Sequence, residues 1–290
     1  MAVLRTSCNR DVPRLRELWK LAFGDEDAYI DHFFRQYYRP ERVLVLEESG
    51  AVQSMTAWFE TVLNTEDGNS RKAAYLYAVA THPDCRGKGF AGQLLAYADD
   101  WLHREQGFDC VTTVPARPDL HVFFGKNGFR ECFVLRQTEL NPEELAAPGA
   151  EPILRPVSAQ EYGVLREQLL DGQAHISYAP DALDYQAGCC RLSRGGLYRG
   201  ETDYGPVCLC AEGAGDGLVV LKEFLGSPAA KRLAQADLPR AVPAQRWLVR
   251  EPISEGRGDS WDFAMLKWLR PEAEEMWNWE NKAYLGLAFD

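Results

Sequence analysis

The stretch Val79-Ala80-Thr81-His82-Pro83-Asp84-Cys85-Arg86-Gly87-Lys88-Gly89-Phe90-Ala91-Gly92 constrains the chain most, because an apolar strand pattern runs there into a glycine-rich turn that opens an amphipathic helix. The first-turn amides of such a helix have no intrahelical acceptors and face whatever sits beyond the strand end, an arrangement suited to a phosphate or pyrophosphate. Glycines at 87 and 89 let the backbone approach an anion closely, and Arg86 and Lys88 add positive charge.

The pattern before the turn reads as a short strand at Val3-Leu4-Arg5, helices over 11–21 and 25–38, a hairpin of strands over 42–47 and 51–63, and a strand over 73–81. The aromatics of the second helix, Tyr29, Phe33, Phe34, Tyr37 and Tyr38, suit a core or the wall of a substrate pocket. After the turn, Ala91, Leu94, Leu95, Ala98, Trp101 and Leu102 repeat at helical spacing to about Glu105. A strand over 110–114, a short helix over 120–126 and a strand over 129–140 follow. Residues 141–152 read as a linker between domains 1–140 and 153–290.

The second half opens like the first. Ile153-Leu154-Arg155 and Leu165-Arg166-Glu167 repeat the pattern and spacing of Val3-Leu4-Arg5 and Leu15-Arg16-Glu17, which predicts a tandem copy of one fold. Strands over 207–211 and 218–224 and a helix over 229–236 fit the copy, but Leu225-Gly226-Ser227-Pro228 replaces the glycine-rich turn, so the cradle is missing there. Trp247, Trp261, Trp268, Trp277 and Trp279 read as core anchors or a cleft lining, and Tyr284 to Asp290 as a strand-like apolar tail.

Gly87-x-Gly89-x-x-Gly92 also matches the dinucleotide fingerprint, which would make the chain an NAD-dependent oxidoreductase. The context disagrees: the preceding strands read as antiparallel, and Thr112 and Thr113 stand where a ribose-binding acid belongs. A phosphate-binding Walker turn fails because Gly89 follows Lys88 where Ser or Thr is required.

Arg86-x-x-Gly89-x-Ala91 resembles the acyl-CoA signature of the GNAT superfamily of N-acetyltransferases, and residues 3 to 138 follow that family's order of elements, down to the Phe123-Phe124-Gly125-Lys126-Asn127-Gly128-Phe129 ending. The tandem arrangement resembles bacterial two-domain members, distantly those of Eis type. The resemblance implies an α/β fold of mixed α+β character: two tandem GNAT-like domains, each a mostly antiparallel mixed sheet flanked by helices, the second degenerate and helping to form the acceptor cleft. It further implies acetyl-CoA as acyl donor, held by the backbone of Val79, Ala80 and Thr81 along the pantetheine arm and by the amides of Arg86, Gly87, Lys88, Gly89, Phe90, Ala91 and Gly92 at the pyrophosphate. The acceptor would be the primary amine of a small molecule or peptide.

Two departures bear on catalysis. Tyr75 stands where some members carry a glutamate base, and Phe124 where many carry a tyrosine acid. Glu60, Tyr75, Tyr77 and His121 are the candidates for proton transfer, which a protonated amine requires at a cost of about 4 kcal/mol at neutral pH. The same departures suit a non-catalytic acyl-CoA-binding or regulatory module as the alternative.

The net charge of -11 argues against a nucleic-acid surface and is compatible with a cationic acceptor. No stretch approaches the ~20 apolar residues of a membrane span, and Met1 to Arg10 lacks an apolar signal core, so the chain reads as cytoplasmic. The 8 cysteines read as reduced thiols; Cys189-Cys190 and Cys208-x-Cys210 lack zinc-knuckle spacing, and no metal is expected. A homo-oligomer is left open.

Overall fold

The computed structural model describes residues 2–253 and 260–289; Met1, residues 254–259 and Asp290 lie outside the described residues, and with them the ends of the expected segments Met1–Arg10 and Tyr284–Asp290. The chain divides into two compact units, each assembled from separated stretches. The first holds Met1–Leu63, Ser70–Cys132 and Ala264–Asn281, the second Asn64–Asn69, Phe133–Phe263 and Lys282–Asp290.

In the first unit, β1 (Val3–Thr6), α1 (Val12–Phe23), α2 (Asp27–Gln36), β2 (Val43–Glu48), β3 (Ala51–Asn64), β4 (Ser70–Thr81), α3 (Phe90–Asp100), β5 (Cys110–Thr113) and α4 (Pro118–Lys126) follow in chain order. β1 to β5 lie side by side in sequence order. β1, β2 and β3 pair antiparallel, with a bulge at Leu46/Glu47, and β4 and β5 pair parallel. The helical repeat after the glycine turn packs as its spacing requires. Leu94, Leu95, Ala98 and Leu102 bury against Ala74 and Leu76 of β4 and Val111 of β5, each leucine contributing about 1.5–3 kcal/mol. The helix extends past α3 as a π-helical turn, Trp101–Glu105.

Alternation along β4 sends Tyr75 and Tyr77 to the opposite face, where they meet α1 and α2. There Trp19 lies 5.4 Å from Tyr77 and Phe33 6.2 Å from it, centroid to centroid, and Phe59 lies 5.6 Å away. Most of the α2 aromatics are core: Phe33 and Tyr37 are fully buried, while Tyr29 and Phe34 are half-buried. Beyond β5 the sheet gains a strand from much later in the chain, Ser260–Trp268, which runs antiparallel from Met265↔Thr113 to Trp268↔Cys110.

The second unit contains β6 (Arg130–Leu140, from Phe133 on), β7 (Leu154–Pro156), α5 (Ala159–Leu169), β8 (His175–Tyr178), α6 (Pro180–Leu192), β9 (Gly196–Thr202), β10 (Gly205–Gly213), β11 (Leu218–Leu225), α7 (Pro228–Gln235) and β12 (Arg246–Pro252). Its sheet order is β6-β12-β11-β10-β9-β7, with β11 and β12 as its parallel pair. Cys208 and Cys210 are fully buried in β10, the latter with its Sγ 3.5 Å from Cys190 Sγ. The fold class expected from the sequence, a mixed α/β arrangement of mostly antiparallel sheets with flanking helices, is what forms.

Three segments depart from a contiguous division at 141–152, the first being Asn64–Asn69, which belongs to the second unit. From Phe133 onward β6 belongs to the second unit, because Leu135 to Leu140 pair with β12, and residues 264–281 belong to the first. The tail expected as a strand from Tyr284 makes only isolated bridges, His175↔Tyr284 and Phe133↔Ala283. Side chains take its carbonyls instead of a ladder: Arg166 Nη2 donates to Leu285 O and Lys222 Nζ to Ala288 O. Gly286 sits at φ +70, where a Cβ would meet Glu223 Oε1.

Candidate functional site

The site forms where β4 leaves β5. Their parallel ladder ends at Leu76↔Thr113, and two residues on, Ala78 adopts φ +52 inside the strand. A left-handed residue with a Cβ costs about 1–2 kcal/mol, so the surrounding contacts must hold it. They come from β3, where Ser54 Oγ donates to Ala80 O at 2.9 Å and the one proton of Thr56 Oγ1 lies between Ala57 O at 3.2 Å and Tyr77 O at 3.3 Å. The edge of β4 from Val79 to Thr81 therefore continues without a β5 partner.

After Thr81 the chain turns tightly. His82 N–H donates to Gln53 O, Cys85 N–H to His82 O and Arg86 N–H to Pro83 O. Gly87 and Gly89 follow at φ +76 and +77. A Cβ at Gly87 would meet nothing within 4 Å, so the turn needs glycine for its backbone conformation rather than for space. Gly89 is the N-cap of α3 and offers no side chain to cap it. Gln93 N–H makes the first helical bond, to Gly89 O, and among the described residues the amides from Gly87 to Gly92 have no protein acceptor.

Of these residues, Gly87, Gly89, Phe90, Ala91 and Gly92 line one cavity of about 450 Å³ together with the free edge of β4. Val79 and Thr81 form one side and the glycine turn its end, while Leu120, Phe123 and Phe124 of α4, at i, i+3 and i+4, form the other side. Arg86 is exposed at its rim and makes no ion pair among the described residues, leaving its charge for an anion.

Of the residues expected to hold a cofactor, Val79, Thr81, Arg86, Gly87, Gly89, Phe90, Ala91 and Gly92 line this cavity. Ala80 and Lys88 do not. Ala80 is buried with its carbonyl bonded to Ser54, and Lys88 Nζ turns to Cys85 Sγ at 3.8 Å. The Arg86 amide is not available to a ligand, since the tight turn spends it on Pro83 O at 3.2 Å. Cys85, Leu120 and Phe123 line the cavity without having been singled out; the i, i+3, i+4 spacing on α4 was the signal for the latter two.

The catalytic candidates separate. Tyr75 is buried among Phe59 and Tyr77, and Tyr77 Oη lies 3.2 Å from Tyr29 Oη. Glu60 is half-exposed with Lys72 Nζ at 3.9 Å. His121 on α4 has Nδ1 2.8 Å from Glu131 Oε1. The two tyrosines are brought together; Glu60 and His121 each keep to a separate charged partner.

The second unit lacks a comparable site at the corresponding turn. Between β11 and α7, Ser227 Oγ accepts from Ala230 N–H at 3.2 Å and donates to Tyr204 O at 3.0 Å, so the helix caps itself where α3 leaves its amides open. Among the described residues of the chain, no helix is long and apolar enough to cross a membrane.

Comparison with known proteins agrees with this geometry. Residues 4–130 match the family model of the acetyltransferase (GNAT) domain. No significant match to a curated protein sequence was found. Among solved structures, a probable N-acyltransferase from Enterococcus faecalis V583 is similar over 93% of this chain and 73% of its own, with TM-score 0.71 and 12% identity. Eis1 from Mycobacterium abscessus is similar over 94% and 75%, with TM-score 0.67 and 12% identity. A tandem GNAT protein from the clavulanic acid biosynthesis pathway is similar over 93% and 99%, with TM-score 0.56 and 14% identity. At these identities the likeness is one of fold, and it extends across both halves of the chain.

Proposed function

We propose, from the match of residues 4–130 to the acetyltransferase (GNAT) domain model, that the chain transfers an acetyl group from acetyl-CoA to the primary amine of a small molecule or peptide, by direct attack in a ternary complex in the cytoplasm. One observation carries the donor assignment: Gly87, Gly89, Phe90, Ala91 and Gly92, with their uncapped amides, line the same cavity as the unpaired edge of β4. An elongated donor with an anionic end and an amide-bearing arm satisfies both at once. The pyrophosphate would take the amides and Arg86, each favourable helix-end contact contributing about 0.3–1 kcal/mol. The pantetheine arm would run along Val79 to Thr81.

Acetyl-CoA supplies the thioester carbonyl that the amine attacks. The protein's largest contribution is orientation, since holding amine and thioester together can remove on the order of 7–11 kcal/mol from the barrier. The amine must arrive neutral, and Tyr77 of β4 with Tyr29 of α2 is the polar pair just ahead of the donor edge. The leaving thiolate finds no acid at Phe124, which presents only an apolar ring to the cavity, so its proton comes from solvent or another side chain. The second unit, with its self-capped turn, is proposed not to bind a second acyl-CoA.

The test is a panel of amines with release of CoA thiol as the readout, paired with calorimetry for CoA. CoA binding together with turnover of an amine supports the assignment; CoA binding with every amine class inert leaves the non-catalytic acyl-CoA-binding reading, which Phe124 favours. Affinity for NAD without affinity for CoA overturns both.

A further inference from the structure

Ser54 is fully buried on β3, with its Oγ 2.9 Å from Ala80 O and 2.8 Å from Thr81 Oγ1. A serine hydroxyl has one proton. Spent on the Ala80 carbonyl, which can only accept, it leaves Ser54 Oγ an acceptor toward Thr81, so the Thr81 hydroxyl must donate to Ser54. Both hydroxyl protons are then committed within the protein. Thr81 lines the cavity, and the only hydrogen-bonding capacity its Oγ1 retains there is its lone pairs.

We infer that Thr81 Oγ1 is a side-chain acceptor in the donor site, taking an amide N–H from the pantetheine arm, and that Ser54 is the positioning residue that fixes this polarity. The inference rests on the acyl-CoA reading and deepens it. A site whose walls are otherwise largely apolar thereby distinguishes the arm, which carries amide N–H groups, from the nucleotide end, which the glycine turn holds. Ser54 also anchors the carbonyl two residues beyond the left-handed Ala78, so the same hydroxyl keeps the β4 edge in place.

The experiment is calorimetry of the full chain with two ligands, CoA and adenosine 3′,5′-bisphosphate, which keeps the nucleotide phosphates and lacks the arm. T81V is expected to weaken CoA about fivefold, the loss of one ordinary hydrogen bond, with the bisphosphate unchanged and T81S close to wild type. S54A is expected to weaken CoA by a similar factor, because the Thr81 proton is released to turn into the cavity. Should T81V fold poorly, T81A carries the same expectation. The inference is overturned if T81V binds CoA as tightly as wild type, or if both ligands weaken equally. A wild-type chain that binds the bisphosphate but not CoA overturns it as well, and one that binds neither overturns the acyl-CoA reading beneath it.

Discussion

Lys267 Nζ lies 2.5 Å from Asp99 Oδ2 and 2.7 Å from Asn127 O, so a side chain from the late strand neutralises a carboxylate on the helix that carries the cradle and caps the end of α4. Burial pushes the Asp99 carboxyl above its usual range, and Lys267 opposes that shift. Removing the ammonium leaves a mostly buried acid without its cation. Lys267→Met is expected to lower stability by about 1–3 kcal/mol, read as a shift in the urea midpoint, with a smaller loss for Lys267→Arg.

Arg5 grips Asp11 with two bonds, Nη1 to Oδ2 at 2.6 Å and Nη2 to Oδ1 at 3.0 Å, and Cys8 N–H adds a third at 2.8 Å. Burial alone would raise the carboxyl, but these bonds outweigh it and hold Asp11 at about 2. A carboxyl depressed in the folded state favours folding above its unfolded value, near 4, and loses that contribution as pH falls toward 2. Wild type should therefore lose on the order of 1 kcal/mol across that window that Arg5→Met does not, measured by urea unfolding at pH 5 and pH 2.5.

What could be read from the chain in advance was what local rules decide. The cradle is legible because Gly87 and Gly89 meet a backbone requirement set within a few residues, and α3 because its leucines repeat at helical spacing. The repeat between Arg16 and Arg166 is a match of letters with different physics: Arg16 pairs with Asp31 at the surface, whereas Arg166 is buried against Glu223. Strand partners are set by non-local pairing. Nothing near Met265 names Thr113 as its neighbour, and nothing near Leu135 assigns it to Pro252. The hydroxyls of Ser54 and Thr56 were invisible for the same reason, since their role exists only once β3 lies against the kink at Ala78.

Because Gly89 needs φ +77 and has free space around it, the cost of a side chain there depends on backbone preference rather than size. Asparagine tolerates the left-handed region better than valine. Gly89→Asn should keep CoA affinity within a few fold of wild type, while Gly89→Val, through strain of about 1–2 kcal/mol or displacement of the open amides, should weaken it tenfold or more. Calorimetry separates the two; equal losses would point to crowding of the ligand.

Among the four proton-transfer candidates we propose Tyr77 as the first to test. It directly precedes the kink at Ala78 beyond which the β4 edge lines the cavity, and its hydroxyl meets that of Tyr29. Tyr75, two residues back, lies on the same face but within the β5-paired part of the strand and is almost wholly buried. His121 is held by Glu131, and Glu60 stands half-exposed beside Lys72. Tyr77→Phe is expected to lower kcat about a hundredfold, the low end for losing a positioned proton-transfer group, with KM for acetyl-CoA little changed. Glu60→Gln and His121→Gln should stay within about threefold of wild type, an order-of-magnitude expectation for groups outside the reacting centre. Since a base acts on the neutral-to-cationic equilibrium of the amine, the Tyr77→Phe deficit should shrink as pH rises toward the amine's own pKa of about 10, where less of the acceptor needs deprotonating. A deficit that is constant with pH would instead assign Tyr77 to packing against Trp19 and Phe33, and a collapse of kcat in Glu60→Gln would move the base to β3.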